Sequence, residues 1–199
     1  MRGLMLEWDA PTTYPIDLTR IKTALRISHD EFDAMIIDQL LPASLEWVEG
    51  TTRRSVVARS HTWVVDGFPL RAMTLPRGKT QSVASITYSS NGSSTTLTGP
   101  STSPQGTDWQ ESLKGDRGAL LMPPQSANWP SADTDVPEPV LVTFTAGWLV
   151  DEVPQDIVTA MLLYIGEHLD ILSPADLGQY TDTDYKEMVA SAWRLPTCP

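Results

Sequence analysis

Residues 75–80 read Leu-Pro-Arg-Gly-Lys-Thr, and the closing Gly78-Lys79-Thr80 is the end of a phosphate-binding loop. Such a loop requires G-x-x-x-x-G-K-[ST], because successive backbone N–H groups wrap the phosphates while the lysine reaches them and the hydroxyl holds Mg²⁺. The first glycine of that pattern falls on Met73. The following residues, Ser82 to Tyr88, alternate and are β-branched, so they continue as a strand rather than opening a helix. The nucleotide reading therefore fails twice.

The other residue types that do chemistry are scattered. His29, His61 and His168 lie in different segments with no H-x-x-H or H-E-x-x-H spacing, and the single cysteine, Cys198, completes no zinc set. No G-x-S-x-G elbow is present. His168 stands beside Glu167, where a general base is one reading and a structural histidine on an apolar helix the other. Trp109 and Trp129 fall in loops and are candidates for a sugar-stacking face, whereas Trp47, Trp63, Trp148 and Trp193 sit in patterned runs that suit packing. These residues predict no catalytic centre, no metal site and no cofactor.

The elements around them are helices at both ends and strands between. Leu18, Ile21 and Leu25 recur at helical spacing, with Asp17 placed to cap them. A longer helix follows, in which Ser28 and Glu31 have capping-box spacing and Phe32, Met35, Ile36 and Leu40 share a face; Pro42 should kink or divide it. From residue 60 the period becomes two, in runs around residues 61–69, 72–76, 83–90, 94–98, 119–124 and 139–148. Asn91-Gly92 marks a hairpin, since both residues tolerate positive φ. The Pro- and Ser-rich segments from Gly99 and from Pro123 read as loops or arms. Pro154 suits the first turn of a helix whose apolar residues, Ile157 to Leu172, cover more than one face. A last short helix over 184–195 and an extended tail complete the chain.

Composition bounds the class. The 199 residues are 41% hydrophobic, enough for one good core or a core with a satellite. The longest apolar run, 160–166, is far shorter than the roughly 18 residues of a membrane span, and the first residues lack a signal-peptide apolar region. A lone cysteine forms no internal disulfide, which fits a reducing compartment. The net charge is −11. Residues 1–50 hold nine acids and four bases, 51–150 seven and eight, and 151–199 nine and two. Arg53, Arg54 and Arg59 make only a loose basic group, against the clustered cations that tight DNA binding needs.

Four segments, "LTRIKTALRISHDEFDAMI" (18–36), "LPRGKTQSVASITY" (75–88), "VTFTAGW" (142–148) and "VPQDIVTAMLLYIGEHL" (153–169), occur in an order that resembles the head-to-tail connector, or adaptor, family of tailed bacteriophages, prophages and gene transfer agents. The resemblance spans the whole chain and departs at Lys79-Thr80, where Pro-Val is common, and in the loop after Pro123. It implies a structural protein rather than an enzyme: rings of about twelve subunits beneath the portal, extending the DNA channel toward the stopper and tail. The implied partners are the portal protein, the stopper or tail-completion protein and further copies of the chain, with genomic DNA passing without tight binding and no membrane. The implied location is the virion or gene transfer agent particle, and the host cytoplasm during assembly.

The expected architecture is α+β. Residues 1–13 form an arm, 14–59 and 151–199 supply a helical bundle and a C-terminal tail, and 60–150 form a β insertion with hairpins. A ring interface is expected at Met161, Leu162, Ile165 and Leu169, from the helix apolar on two sides. Portal binding is expected at Trp193, Arg194, Leu195 and Pro196, where chain ends are free to reach a neighbour; the alternative is that Trp193 and Leu195 fold back onto their own bundle. A stopper or tail-completion role is the alternative within the same particle, and a carbohydrate-binding β module the alternative outside it.

Overall fold

The computed structural model describes residues 1–100, 106–172, 187 and 190–195. Pro196, Cys198 and most of the break and short helix expected after Leu172 lie outside the described residues. The fold is α+β, in two units: residues 1–11 with 58–147, and residues 12–57 with 148–199.

The first unit is built from the alternating runs. Strands β1 (Gly3–Trp8), β2 (Arg59–Val65), β4 (Thr80–Ser90), β5 (Ser93–Leu97) and β8 (Val140–Ala146) form one sheet in the order β1-β2-β8-β4-β5, with every neighbouring pair antiparallel. Strands β3 (Met73–Thr74), β6 (Gln110–Ser112) and β7 (Leu120–Met122) form a second sheet, ordered β3-β7-β6. Period-two alternation sends Trp63, Val65, Val140, Val142, Phe144 and Ile86 into a core that also receives Met73 and Leu121 from the small sheet. The Asn91-Gly92 hairpin forms with φ of 51° and 72°, and both backbone N–H groups donate to the Asp133 carboxylate, at 3.1 and 3.0 Å. Residues 3–8, expected within an arm, are an edge strand instead. Their register against β2 slips between Gly3 and Met5, a bulge that obscures the alternation in sequence.

The second unit is helical. Helix α1 (Leu18–Leu25) is capped as its sequence predicts, with Asp17 Oδ1 accepting from the Arg20 N–H at 2.7 Å. The expected capping box at Ser28 and Glu31 does not form: α2 begins at Asp33 and its N-cap, Phe32, makes no side-chain cap. Lys22 draws Asp30 and Asp33 to itself instead, the latter at 2.9 Å, and holds residues 29–32 as a turn. The consequence of Pro42 appears one turn early. After α2 (Asp33–Met35), residues Ile36–Leu40 form a π-turn in which the Leu41 N–H reaches back to the Ile36 carbonyl; α3 (Leu41–Thr52) then carries Pro42 in its first turn. Proline donates no hydrogen bond and crowds the carbonyl four residues before it, and widening that turn removes the conflict. A 3₁₀ turn (Val150–Glu152) leads to α4 (Gln155–Leu172), which packs against α1, the π-turn and α3 over a core that includes Ile21, Ile36, Val48 and Met161.

Candidate functional site

The Gly-Lys-Thr stretch is a turn held by its own backbone and hydroxyl. Leu75 N–H donates to the Ala119 carbonyl at 2.9 Å, and the Lys79 carbonyl accepts from Gly147 N–H at 2.8 Å. Thr80 is buried; its Oγ1 accepts from the Ala119 N–H at 2.9 Å and lies 3.3 Å from the Gly78 carbonyl. The hydroxyl that would hold Mg²⁺ in a phosphate loop is thus committed to joining two loops. Gly118 makes their approach possible: a Cβ there would stand 2.2 Å from the Leu75 carbonyl oxygen, and its φ is +81°.

Around this turn the first unit carries its densest cationic and aromatic cluster. The Arg77 guanidinium lies over the Trp8 ring at 4.3 Å and that of Arg59 at 6.0 Å. Trp8 also meets the His61 ring, which stacks on Phe144 at 5.3 Å between centroids. Burial, then the charges of Arg59 and Arg77, push the His61 imidazole down to about 4, partly opposed by a backbone hydrogen bond at Ala146. It is a neutral structural histidine at pH 7. Trp8, which no sequence motif singles out, completes the cluster because β1 delivers it opposite His61.

The remaining chemistry-bearing residues stay apart. His168 lies on α4, stacked on Tyr164 at 3.9 Å with Nδ1 2.8 Å from the Tyr164 carbonyl, and His29 packs edge-on to Phe32. Among the described residues no group of three His, Cys, Asp or Glu side chains is placed to hold a metal ion. The sugar-face reading of Trp109 and Trp129 is corrected: they are 2% and 8% exposed, walled into the core of the first unit, so neither offers a ring face to solvent. Trp129 stacks on Phe68 at 4.9 Å and its indole N–H donates to the Arg71 carbonyl at 2.6 Å.

In the second unit, Met161, Ile165 and Leu169 are buried within the subunit's own helical core, and Leu162 is partly buried against it. Helices α1 and α3 and the π-turn pack against α4 over this core. Leu163, 37% exposed, is the large apolar side chain that α4 presents outward among the described residues.

The C-terminal residues are also docked on their own unit. Leu195 N–H donates to the Thr52 carbonyl at 2.9 Å, and Arg194 Nε donates to that of Thr51 at 2.8 Å. These are last-turn carbonyls of α3, which have no partner inside the helix. Trp193 meets Trp148 edge-on at 6.0 Å, the Arg54 guanidinium lies near both rings, and Arg54 Nε donates to the Trp193 carbonyl. The fold-back alternative accounts for the placement of Trp193, Arg194 and Leu195.

The sequence matches no protein-family model and no curated protein. Its fold is similar to that of chains in solved gene transfer agent (GTA) particles. One is in the neck of an empty GTA particle computed with C6 symmetry, with a TM-score of 0.72 and 17% identity over 98% of both chains. A chain in the virion of a native GTA particle matches with a TM-score of 0.72 and 18% identity, again over 98% of both. A third, in the neck of a native GTA particle computed with C12 symmetry, gives 0.68 and 18% over the same shares.

Proposed function

We propose that this chain is a structural subunit of a particle neck: a head-to-tail adaptor that assembles as a ring of about twelve copies beneath the portal and extends the DNA channel toward the stopper and tail. The observation that carries this reading is the match of fold over 98% of both chains to the neck of a particle with cyclic symmetry. A likeness that spans both units together favours a shared architectural role over a shared module.

The distribution of charge supports a conduit. The helical unit, residues 12–57 and 148–199, holds 16 acids and 7 bases, while the β unit holds 9 and 7, so the two carry −9 and −2 of the net −11. A surface of that sign repels the phosphate backbone and lets DNA slide past without being held. Among the described residues no helix is long and apolar enough to cross a membrane. The proposed location is the particle itself.

The portal contact is assigned to the C-terminal segment, with Trp193, Arg194 and Leu195 as its anchor on α3 and Pro196 as the first residue beyond it. The test is co-expression with the portal protein of the same particle, followed by electron microscopy of the purified complex. A cyclic ring of this chain stacked on the portal is expected. Failure to bind portal, with binding instead to a preassembled portal–adaptor complex, would replace the adaptor role with the stopper role.

A further inference from the structure

We infer that neighbouring copies in the ring join through two different surfaces of this chain: the outer face of the small β3-β7-β6 sheet on one copy and the π-turn face around Ile37 on the next. The inference rests on the ring reading above and adds its contact.

The first surface is apolar where the fold does not need it. Leu121 points into the core, while Leu120 and Met122 on the same strand are 38% and 42% exposed. Beyond the start of β3, Leu70 is 94% exposed, the most exposed large apolar side chain among the described residues. The tip is not slack: the next residue, Arg71, has its carbonyl held by the Trp129 indole, and Phe68 is stacked flat on that same ring. A leucine held out in water by an ordered aromatic support is preorganised for contact, because its ordering cost is met before binding. The surface is flanked by exposed cations, Arg71 at one end and Lys114 and Arg117 in the turn joining β6 to β7, against a single acid in that turn, Asp116.

The second surface complements it in charge. Residues 27–52 contain six acids and no lysine or arginine. Of those acids Asp30 and Asp33 are engaged by Lys22, and of the exposed Glu31 and Asp38 the first precedes the π-turn and the second lies within it, next to Ile37. In the middle stands Ile37, 45% exposed, while its neighbour Ile36 is fully buried. One surface is thus apolar with a cationic rim and the other apolar with an anionic rim, on different units of the same chain. A closed cyclic ring requires two unlike, mutually complementary patches of this kind, whereas a two-fold dimer requires one self-complementary patch. Opposite rims also fix register and penalise like-to-like pairing.

The occupant is therefore a second copy. The test pairs Met122→Cys with Ile37→Cys in a Cys198→Ser background of the full chain, oxidised mildly and read on non-reducing gels, beside sedimentation of Leu120→Glu/Met122→Glu. All substituted side chains on both surfaces are exposed, and circular dichroism checks that the fold is kept. A ladder of oligomers beyond dimer from the double-cysteine chain, none beyond dimer from either single cysteine, and association weakened about tenfold or more by the glutamates are expected. A ladder stopping at dimer would indicate a two-fold contact and overturn the inference. Cyclic oligomers that survive the glutamates and form no ladder would also overturn it while leaving the ring reading intact. No association by the unsubstituted chain and no ladder would count against both. Loss of portal binding alone from the glutamate variant would give the surface to the portal instead.

Discussion

The backbone N–H of Leu195 closes the end of α3 by donating to the Thr52 carbonyl at 2.9 Å, and this makes the last described residues part of the helical core's boundary. Deleting residues 193–199 removes that bond, the Arg194 contact to Thr51 and the Trp193–Trp148 packing together. A loss of about 2–4 kcal/mol is expected, seen as a lower denaturation midpoint. In the full-length chain Trp193→Phe should lose only part of that stability, since a ring edge against Trp148 is retained. An unchanged midpoint for the deletion would mean that the docked segment contributes nothing to stability.

Thr80 gives the plainest contrast between motif and structure. Replacing it with valine keeps its shape and strands the buried Ala119 N–H that its hydroxyl accepts from. The expected cost is about 1–3 kcal/mol. Calorimetric titration of the unsubstituted chain with ATP and Mg²⁺ should give no binding heat.

His61 imposes a pH dependence whose sign follows from its depressed pKa. The folded chain holds the imidazole at about 4 against the ordinary 6.5. Its stabilising contribution is complete above pH 6.5, because both states are then neutral. It falls as pH drops from 6.5 toward 4, where the unfolded chain takes up a proton that the folded chain refuses, and it levels off below that. The total is about 3 kcal/mol at most. Denaturant midpoints between pH 6.5 and 5, above most carboxylate titration, should decline in the unsubstituted chain and flatten in His61→Gln.

Along α4, Ile165 and Leu163 separate core from surface. Ile165→Asp buries a charge with no counter-ion and should cost more than about 3 kcal/mol, or prevent folding. Leu163→Asp should leave the fold intact, with a change under about 1 kcal/mol. The pair is read by circular dichroism and thermal melts. Equal destabilisation by both would contradict the stated orientation of the helix.

The acidic helical unit predicts no measurable affinity for duplex DNA at physiological salt. Fluorescence anisotropy with a labelled duplex checks it. A submicromolar affinity that weakens steeply as salt rises would overturn the repulsive-conduit reading.

Several features are legible in the sequence by itself because local physics decides them. Asp17 caps α1, Asn91-Gly92 turns a hairpin and Pro42 forces a break in helical regularity, and each depends only on residues within a turn or two. The alternating runs likewise declare strands, and the period of α4 declares a buried helix. Tertiary structure alone decides which of those residues meet. Strand β1 is hidden in the sequence because its bulge breaks the alternation and its pairing partner lies more than fifty residues away. An even longer separation in sequence conceals the Trp8–Arg77 contact. Apolar residues on two sides of α4 do not say whether a neighbouring helix or a neighbouring subunit covers them, since burial is not directional. Here α1, α3 and the π-turn cover Met161 and Ile165. The tryptophans in the Pro-rich segments reverse their expected role for the same reason: a loop's composition reports its backbone, while the fate of Trp109 and Trp129 depends on a core that distant strands enclose.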